Sequence, residues 1–178
     1  ENISFDTIVA SGWRGSLPHG VASDKKISGG EFVTMDFGAI YNGYCSDMTR
    51  TICVGKANDN QKKIYNALLN AQLYGLKCIK VGASGKAVDA AVRENLKTSN
   101  LENYFTHGLG HGVGIEIHEE PRLSRLSKCE KLLPNMIVTD EPGIYIPEVG
   151  GLRIEDTVLV TDGDAETLTK SPKNLIEL

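Results

Sequence analysis

The sequence predicts a single α/β domain, and three observations carry that prediction. A hairpin pattern with acidic residues on both arms occurs twice, at residues 32–54 and 136–161. Between the copies lie two stretches with helical spacing and a glycine-rich stretch that holds three of the four histidines. The 178 residues suffice for one buried core, and no linker or low-complexity tract divides them.

In chain order, Phe5 to Ser11 (FDTIVAS) is β-prone and ends at a loop from Gly12 to Gly20 containing Pro18 and His19. The first hairpin follows. Phe32 to Tyr41 runs out, Asn42-Gly43 forms a type I′ turn, and Tyr44 to Val54 returns. A first helix is predicted over about Asn60 to Lys80, with Ile64, Ala67, Leu68, Ala71, Cys78 and Ile79 near one face. A second begins after the N-cap Ser84 and carries Val88, Ala91, Val92 and Leu96 on one stripe. The histidine stretch THGLGHGVGIEIHEEP, residues 106–121, comes next. Glycines at alternate positions disfavour a helix by about 1 kcal/mol each. A loop leading into a strand is expected, with Val113, Ile115 and Ile117 alternating toward one face. The second hairpin has MIVTDEPGIY as its outward strand, IPEVGG as its turn and LRIEDTVLVT as its return.

Composition narrows the function classes. A net charge of -4 and a pI near 5.6 offer no basic surface to nucleic acid. No apolar run approaches the roughly 18 residues that span a bilayer, and the first residues lack the pattern of a signal peptide. Cys45, Cys53, Cys78 and Cys129 show no CxxC spacing, so they are expected to be small buried residues in a reducing compartment. These features predict a cytoplasmic protein without membrane or nucleic-acid partners.

The chemistry is carried by the acids. With Asn42-Gly43 as the turn, position 36 lies opposite 49 and position 38 opposite 47. Asp36 and Asp47 are then diagonal neighbours on one face, with Cβ atoms roughly 7 Å apart. Val33, Met35 and Phe37 are expected to face a core on the other side. Aspartate is disfavoured inside strands, so two that converge need a reason. Glu141 and Glu155 repeat the arrangement, with Pro142-Gly143 ending regular pairing after Glu141. Arg153 shares the face of Glu155. Four carboxylates in one pocket repel: each like pair at 4 Å costs about 4 kcal/mol at an effective dielectric near 20. Two divalent cations would neutralise them, and His111 offers a nitrogen ligand. Oxygen ligands plus an imidazole suit Mn, Co, Fe or Zn. Such a pair would share and acidify a water and clamp a carbonyl for attack. His107, His111 and His118 are all candidates on a backbone whose glycines allow close approach.

The motifs LPHG, MDFGAIYNGYCSDMTRT, HGLGHGVGIEIHEEP, EPGIY and GGLRIED together resemble the pita-bread metallopeptidases, the fold of methionine aminopeptidase, Xaa-Pro aminopeptidase, prolidase and creatinase. The resemblance runs almost end to end. It implies five ligands, with Asp47 and Glu155 bridging two metals, Asp36 completing one, and His111 with Glu141 completing the other. Glu141 would also move protons during attack by the bridging hydroxide. His118 would stabilise the tetrahedral intermediate, His19 would contact substrate from the opposite wall, and His107 would line the substrate pocket. Arg153 would stand beside the bridging carboxylates and Tyr145 in the pocket. GGLRIED is similar to the Xaa-Pro aminopeptidase and prolidase branch, which implies cleavage of the bond before a proline at the second position. Manganese is the expected metal, a proline-containing peptide the substrate, and a homodimer the assembly of the full-length protein.

Two rival readings follow from the same resemblance: a peptide-binding module that has lost catalysis, or a methionine aminopeptidase, against which Arg153 argues. The residues also depart from the pattern. Asp140 replaces an aliphatic residue before Glu141, so either it finds a partner or its strand face is less enclosed. Trp13-Arg14 is bulky beside Pro18-His19. The resemblance further implies helices upstream of SFDTIVASG that this sequence does not contain. Residues 1–178 are therefore expected to be one catalytic domain trimmed at its start, with exposed apolar surface where those helices pack.

Overall fold

A computed structural model of the chain describes residues 2–18, 20, 22–147 and 149–178. Strands β1 (Asn2–Ile3) and β2 (Ile8–Ser11) lead into a 3-10 turn, Gly12–Ser16. The first hairpin comprises β3 (Phe32–Phe37), β4 (Ala39–Tyr41), β5 (Tyr44–Cys45) and β6 (Met48–Cys53). Helices α1 (Asp59–Cys78) and α2 (Gly85–Lys97) follow, then a 3-10 turn at Glu102–Tyr104. The histidine stretch contributes β7 (Gly110–Gly112) and β8 (Glu119–Leu123). The second hairpin comprises β9 (Ile137–Asp140), β10 (Gly143–Ile146), β11 (Gly150–Arg153) and β12 (Asp156–Leu159), and β13 (Glu166–Thr167) closes the chain.

Each predicted hairpin is therefore two short ladders in one register. Asp36 pairs with Thr49 and Phe37 with Met48; past the break Ile40 pairs with Cys45 and Tyr41 with Tyr44. Asn42 and Gly43, at φ 50° and 84°, supply the two positive values a type I′ turn requires. In the second hairpin Asp140 pairs with Asp156 and Gly143 with Arg153, which leaves Glu141 and Glu155 facing each other across the gap. The main sheets are β2-β3-β6 and β13-β12-β9-β7-β8.

The helices back these sheets. An Asn58–Gln61 capping box starts α1, and the Ser84 hydroxyl caps α2. They pack on each other, with α1 against β9 and α2 against β8. The shared core holds Phe32, Tyr65, Leu68, Val92, Leu96, Leu123, Ile144 and Leu152. Truncating fully buried Leu68 to alanine would cost about 2–5 kcal/mol.

The sequence misplaces two faces. Val33 is buried as expected, but Phe37 is 41% exposed and Met35 half-buried. The enclosed side of β3 instead carries Thr34 and Asp36, because Thr34 Oγ1 donates to Gly151 O and Thr51 Oγ1 to Arg153 O across to β11. Residues 114–118 do not continue a strand. The ladder ends at Gly112, Gly114 N donates back to Glu116 O, and Ile115 is 73% exposed. All four cysteines are free; Cys53 is buried and the other three half-buried.

Candidate metal centre

The breaks in the hairpins are what bring the acids together. Pro142 has no N–H to continue the ladder. The amides of the acids bond to other segments instead: Glu141 N donates to Leu109 O at 2.9 Å and Glu155 N to Thr49 O at 3.1 Å. One bond ties the second hairpin to the histidine loop, the other ties it to the first hairpin. Gly110 permits the approach, since a Cβ there would lie 2.0 Å from Thr139 O.

Asp47, His111 and Glu155 each offer a ligand atom, all within 4.8 Å of one another and all buried. Glu141 Oε1 lies 3.2 Å from His111 Nε2, and Asp47 Oδ2 lies 3.6 Å from it. His111 Nδ1 is 3.0 Å from Gly112 O. A carbonyl only accepts, so Nδ1 carries the proton and Nε2 faces the carboxylates, the orientation that metal-binding imidazoles take. Asp36 Oδ2 takes Nη2 of Arg153 at 2.5 Å, while its Oδ1 is buried without a hydrogen-bond partner among the described residues.

The electrostatics fit divalent cations. Burial, then the charges of Asp36 and Glu141, push Asp47 up to about 8. Burial and the other three carboxylates push Glu155 well above the usual range, and burial raises Asp36 despite Arg153. Burial would also raise Glu141, but the hydrogen bond and charge of His111 bring it down to about 2. At His111, burial opposes a proton, yet Glu141 and Asp47 outweigh it and raise the pKa. Carboxyl groups packed this closely resist ionising together, a cost that divalent cations would offset, and Asp36 Oδ1 beside them lacks a hydrogen-bond partner among the described residues.

A layer of hydroxyls and cations orients these groups. Thr49 Oγ1 donates to Glu155 Oε2 at 2.5 Å and accepts from Arg153 Nε at 3.0 Å. Thr139 Oγ1 donates to Glu141 Oε1 and accepts from His111 N, both at 3.0 Å. Thr49 was readable as the residue opposite Asp36, and Thr139 as the strand neighbour two before Glu141. Their roles were not, because hydroxyl partners emerge only when the hairpins meet.

The five acidic and imidazole groups line a cavity of about 520 Å3 together with His107, His118, Arg153, Arg122 and Ser124. Phe5, Ile8, Pro18 and Ile117 give it an apolar wall. The ring of His118 stands 4.3 Å from that of His111. His107 reaches the cavity with both ring nitrogens engaged: Nδ1 is 2.7 Å from Gly108 O and Nε2 is 2.9 Å from Tyr145 Oη. Burial lowers its pKa, which suits a neutral ring. Tyr145 is not part of the cavity lining; its hydroxyl lies behind it, between His107 and Arg153 Nη1. His19 lies outside the described residues. Trp13 is exposed and is not part of the cavity lining. Asp140 meets neither expectation: it is fully enclosed, and neither carboxylate oxygen has a hydrogen-bond partner among the described residues. Burial and Asp156 push its pKa well above the usual range, so it is held neutral against Gly75 of α1.

A mixed α/β fold that gathers carboxylates and an imidazole beneath a peptide-sized cavity is that of a metallopeptidase. The chain belongs to metallopeptidase family M24, whose model matches residues 1–162. It is 51% identical over 176 residues to the Xaa-Pro dipeptidase of Pyrococcus furiosus, covering 99% of this chain and 50% of that protein. It is 53% identical over 178 residues to the uncharacterized peptidase YqhT of Bacillus subtilis, covering 100% and 50%. The structure of an Xaa-Pro dipeptidase from Bacillus anthracis superposes with a TM-score of 0.96 at 56% identity, covering 99% of this chain and 49% of that one. Prolidase from Pyrococcus furiosus gives 0.92 at 52% identity, covering 96% and 50%. The fold is thus the pita-bread fold, and the chain spans about half the length of the curated relatives it matches.

Proposed function

We propose that this chain is the catalytic domain of a metal-dependent exopeptidase that hydrolyses the bond before a proline at the second position of a peptide. The observation that carries the proposal is the convergence of Asp36, Asp47, His111, Glu141 and Glu155 on one cavity. In this reading Asp36, Asp47, His111, Glu141 and Glu155 would together hold two divalent cations. Manganese is the metal of choice, with Co, Fe or Zn as substitutes. When bound, the cations supply an acidified water and polarise the scissile carbonyl.

The remaining steps belong to the protein. Glu141, oriented by the Thr139 hydroxyl beside His111, accepts a proton from the attacking water and returns it to the departing proline nitrogen. His118, beside His111 at the cavity edge, donates to the carbonyl oxygen as charge develops there. His107 offers its ring as wall, with its nitrogens committed to Gly108 and Tyr145. Phe5, Ile8 and Ile117 suit an apolar pyrrolidine. The guanidinium of Arg122 lines the cavity without a hydrogen bond or ion pair among the described residues. It would meet the terminal carboxylate of a dipeptide, which favours dipeptides over longer chains.

The test is hydrolysis by the Mn-loaded full-length protein of Leu-Pro, Leu-Pro-Ala and Met-Ala. Cleavage of Leu-Pro supports the proposal. Cleavage of Met-Ala alone points to a methionine aminopeptidase, and retention of intact peptides without product points to a binding module.

A further inference from the structure

One device at the site comes from outside the cavity. Helix α2 carries Asp89, fully buried, and Arg93 one turn later. Arg93 Nε donates to Asp89 Oδ2 at 2.8 Å and Nη2 donates to Oδ1 at 3.1 Å, a side-on pair with two parallel bonds. The same guanidinium donates from Nη1 to Phe105 O at 2.7 Å and from Nη2 to His107 O, and it stacks 4.1 Å over the Phe105 ring. Asp89 Oδ1 also accepts from Leu109 N at 3.1 Å. Three backbone groups in alternation, at 105, 107 and 109, are thus satisfied by two side chains where a neighbouring strand would normally serve. The segment they hold contains Gly108 and precedes Gly110, so its own backbone is permissive and needs an external hold.

What the clamp sets can be traced atom by atom. With His107 O held by Arg93, the next carbonyl, Gly108 O, faces His107 Nδ1. That carbonyl requires the proton on Nδ1, which leaves the Nε2 lone pair to accept from Tyr145 Oη–H. Tyr145 Oη can then accept from Arg153 Nη1, whose Nη2 holds Asp36.

We propose that Arg93, oriented by Asp89, is a positioning residue for the peptidase reaction: it fixes His107 as the Nδ1–H tautomer and so orders the hydrogen-bond chain His107–Tyr145–Arg153–Asp36. The claim that this serves turnover rests on the exopeptidase reading; the claim about the tautomer does not.

The experiment is nitrogen-15 NMR of histidine-labelled full-length protein, wild type and Arg93→Ala, with metal content and Leu-Pro kinetics measured alongside. Wild type should show one histidine, assigned by its loss in His107→Gln, as a single Nδ1–H tautomer. In Arg93→Ala that signal should average between tautomers. kcat/KM should fall about 10- to 100-fold, the scale on which misplacing a reacting group acts, with metal content unchanged. Methylguanidinium should restore part of both signals. Arg93→Lys, which retains the buried charge but lacks the fork, decides the matter if Arg93→Ala does not fold: averaging there supports the proposal. An unchanged His107 tautomer in whichever variant folds overturns it. If Leu-Pro is not cleaved by wild type, the exopeptidase reading fails and the tautomer measurement still decides the clamp.

Discussion

Replacing Thr49 by valine removes one hydroxyl and almost no volume from a fully buried position. The hydroxyl gives its proton to Glu155 Oε2 at 2.5 Å and takes the Nε proton of Arg153 at 3.0 Å. A cation at the centre requires Glu155 ionised, whereas without one burial and three neighbouring carboxylates raise its pKa far above the usual range. The Thr49 bond is therefore worth more in the cation-bound protein. A hydrogen bond to a charged acceptor contributes roughly 1.5–3 kcal/mol against about 0.5–1.5 for a neutral one, a difference of about 1–2 kcal/mol. Thr49→Val should accordingly bind Mn2+ about 5- to 30-fold more weakly, within the range known for groups that support metal ligands. Calorimetric titration of the metal-stripped protein with Mn2+ measures it, beside Thr51→Val as a control whose hydroxyl meets Thr34 Oγ1 and the Arg153 backbone but no carboxylate. An Mn2+ affinity within about twofold of wild type would refute the reasoning, because Thr49 would then contribute equally to both states.

The remaining predictions concern stability and charge. In chelator, the thermal midpoint should fall as pH rises from 5 to 8. Asp47, with its folded pKa raised to about 8, resists ionisation that the unfolded chain allows above about 4, and His111, with its pKa raised above 6.5, adds a stabilising proton that is lost only as pH climbs beyond that value. Saturating Mn2+ should flatten that slope, and a midpoint that rises with pH in chelator would contradict the assignment. Asp140→Val should stabilise the fold by about 1–3 kcal/mol in urea denaturation, since it removes a buried carboxyl that has no hydrogen-bond partner among the described residues; a loss of stability would show that the carboxyl has a partner. Arg50→Met should cost about 3–5 kcal/mol, because Arg50 joins Asp156, the Glu155 carbonyl and the carbonyls of Ser171 and Pro172 in one buried knot. Its folded baseline should show freer exchange of amides after residue 171.

The sequence disclosed what depends on local rules. Asn42-Gly43 pins the first hairpin's register, so the opposition of Asp36 and Thr49 was readable, and Ser84 and the helix stripes located both helices to within about two residues. Alternation failed where a sheet face meets another hairpin instead of an apolar layer. Thr34 and Asp36 are enclosed because β11 covers them, and Phe37 turns outward in consequence. The strand expected over 113–117 failed because Gly114 folds back on Glu116. Motif resemblance named His107 and Tyr145 as pocket residues. It took three dimensions to show that the imidazole nitrogens are spent on Gly108 and Tyr145, and that Tyr145 stands behind the wall. Arg93 carries no sequence signal for its contact with the histidine loop, because a helical arginine four residues after an aspartate reads as an ordinary surface pair.

The central claim is that these five side chains hold two cations. Anomalous diffraction from a crystal of the full-length protein soaked in Mn2+ tests it most directly. The account predicts two peaks about 3.5–4 Å apart, both touching Asp47 and Glu155, one also touching His111 and Glu141 and the other Asp36. A single peak with Asp36 still committed to Arg153 alone, or no peak between Asp47 and Glu155, would contradict it.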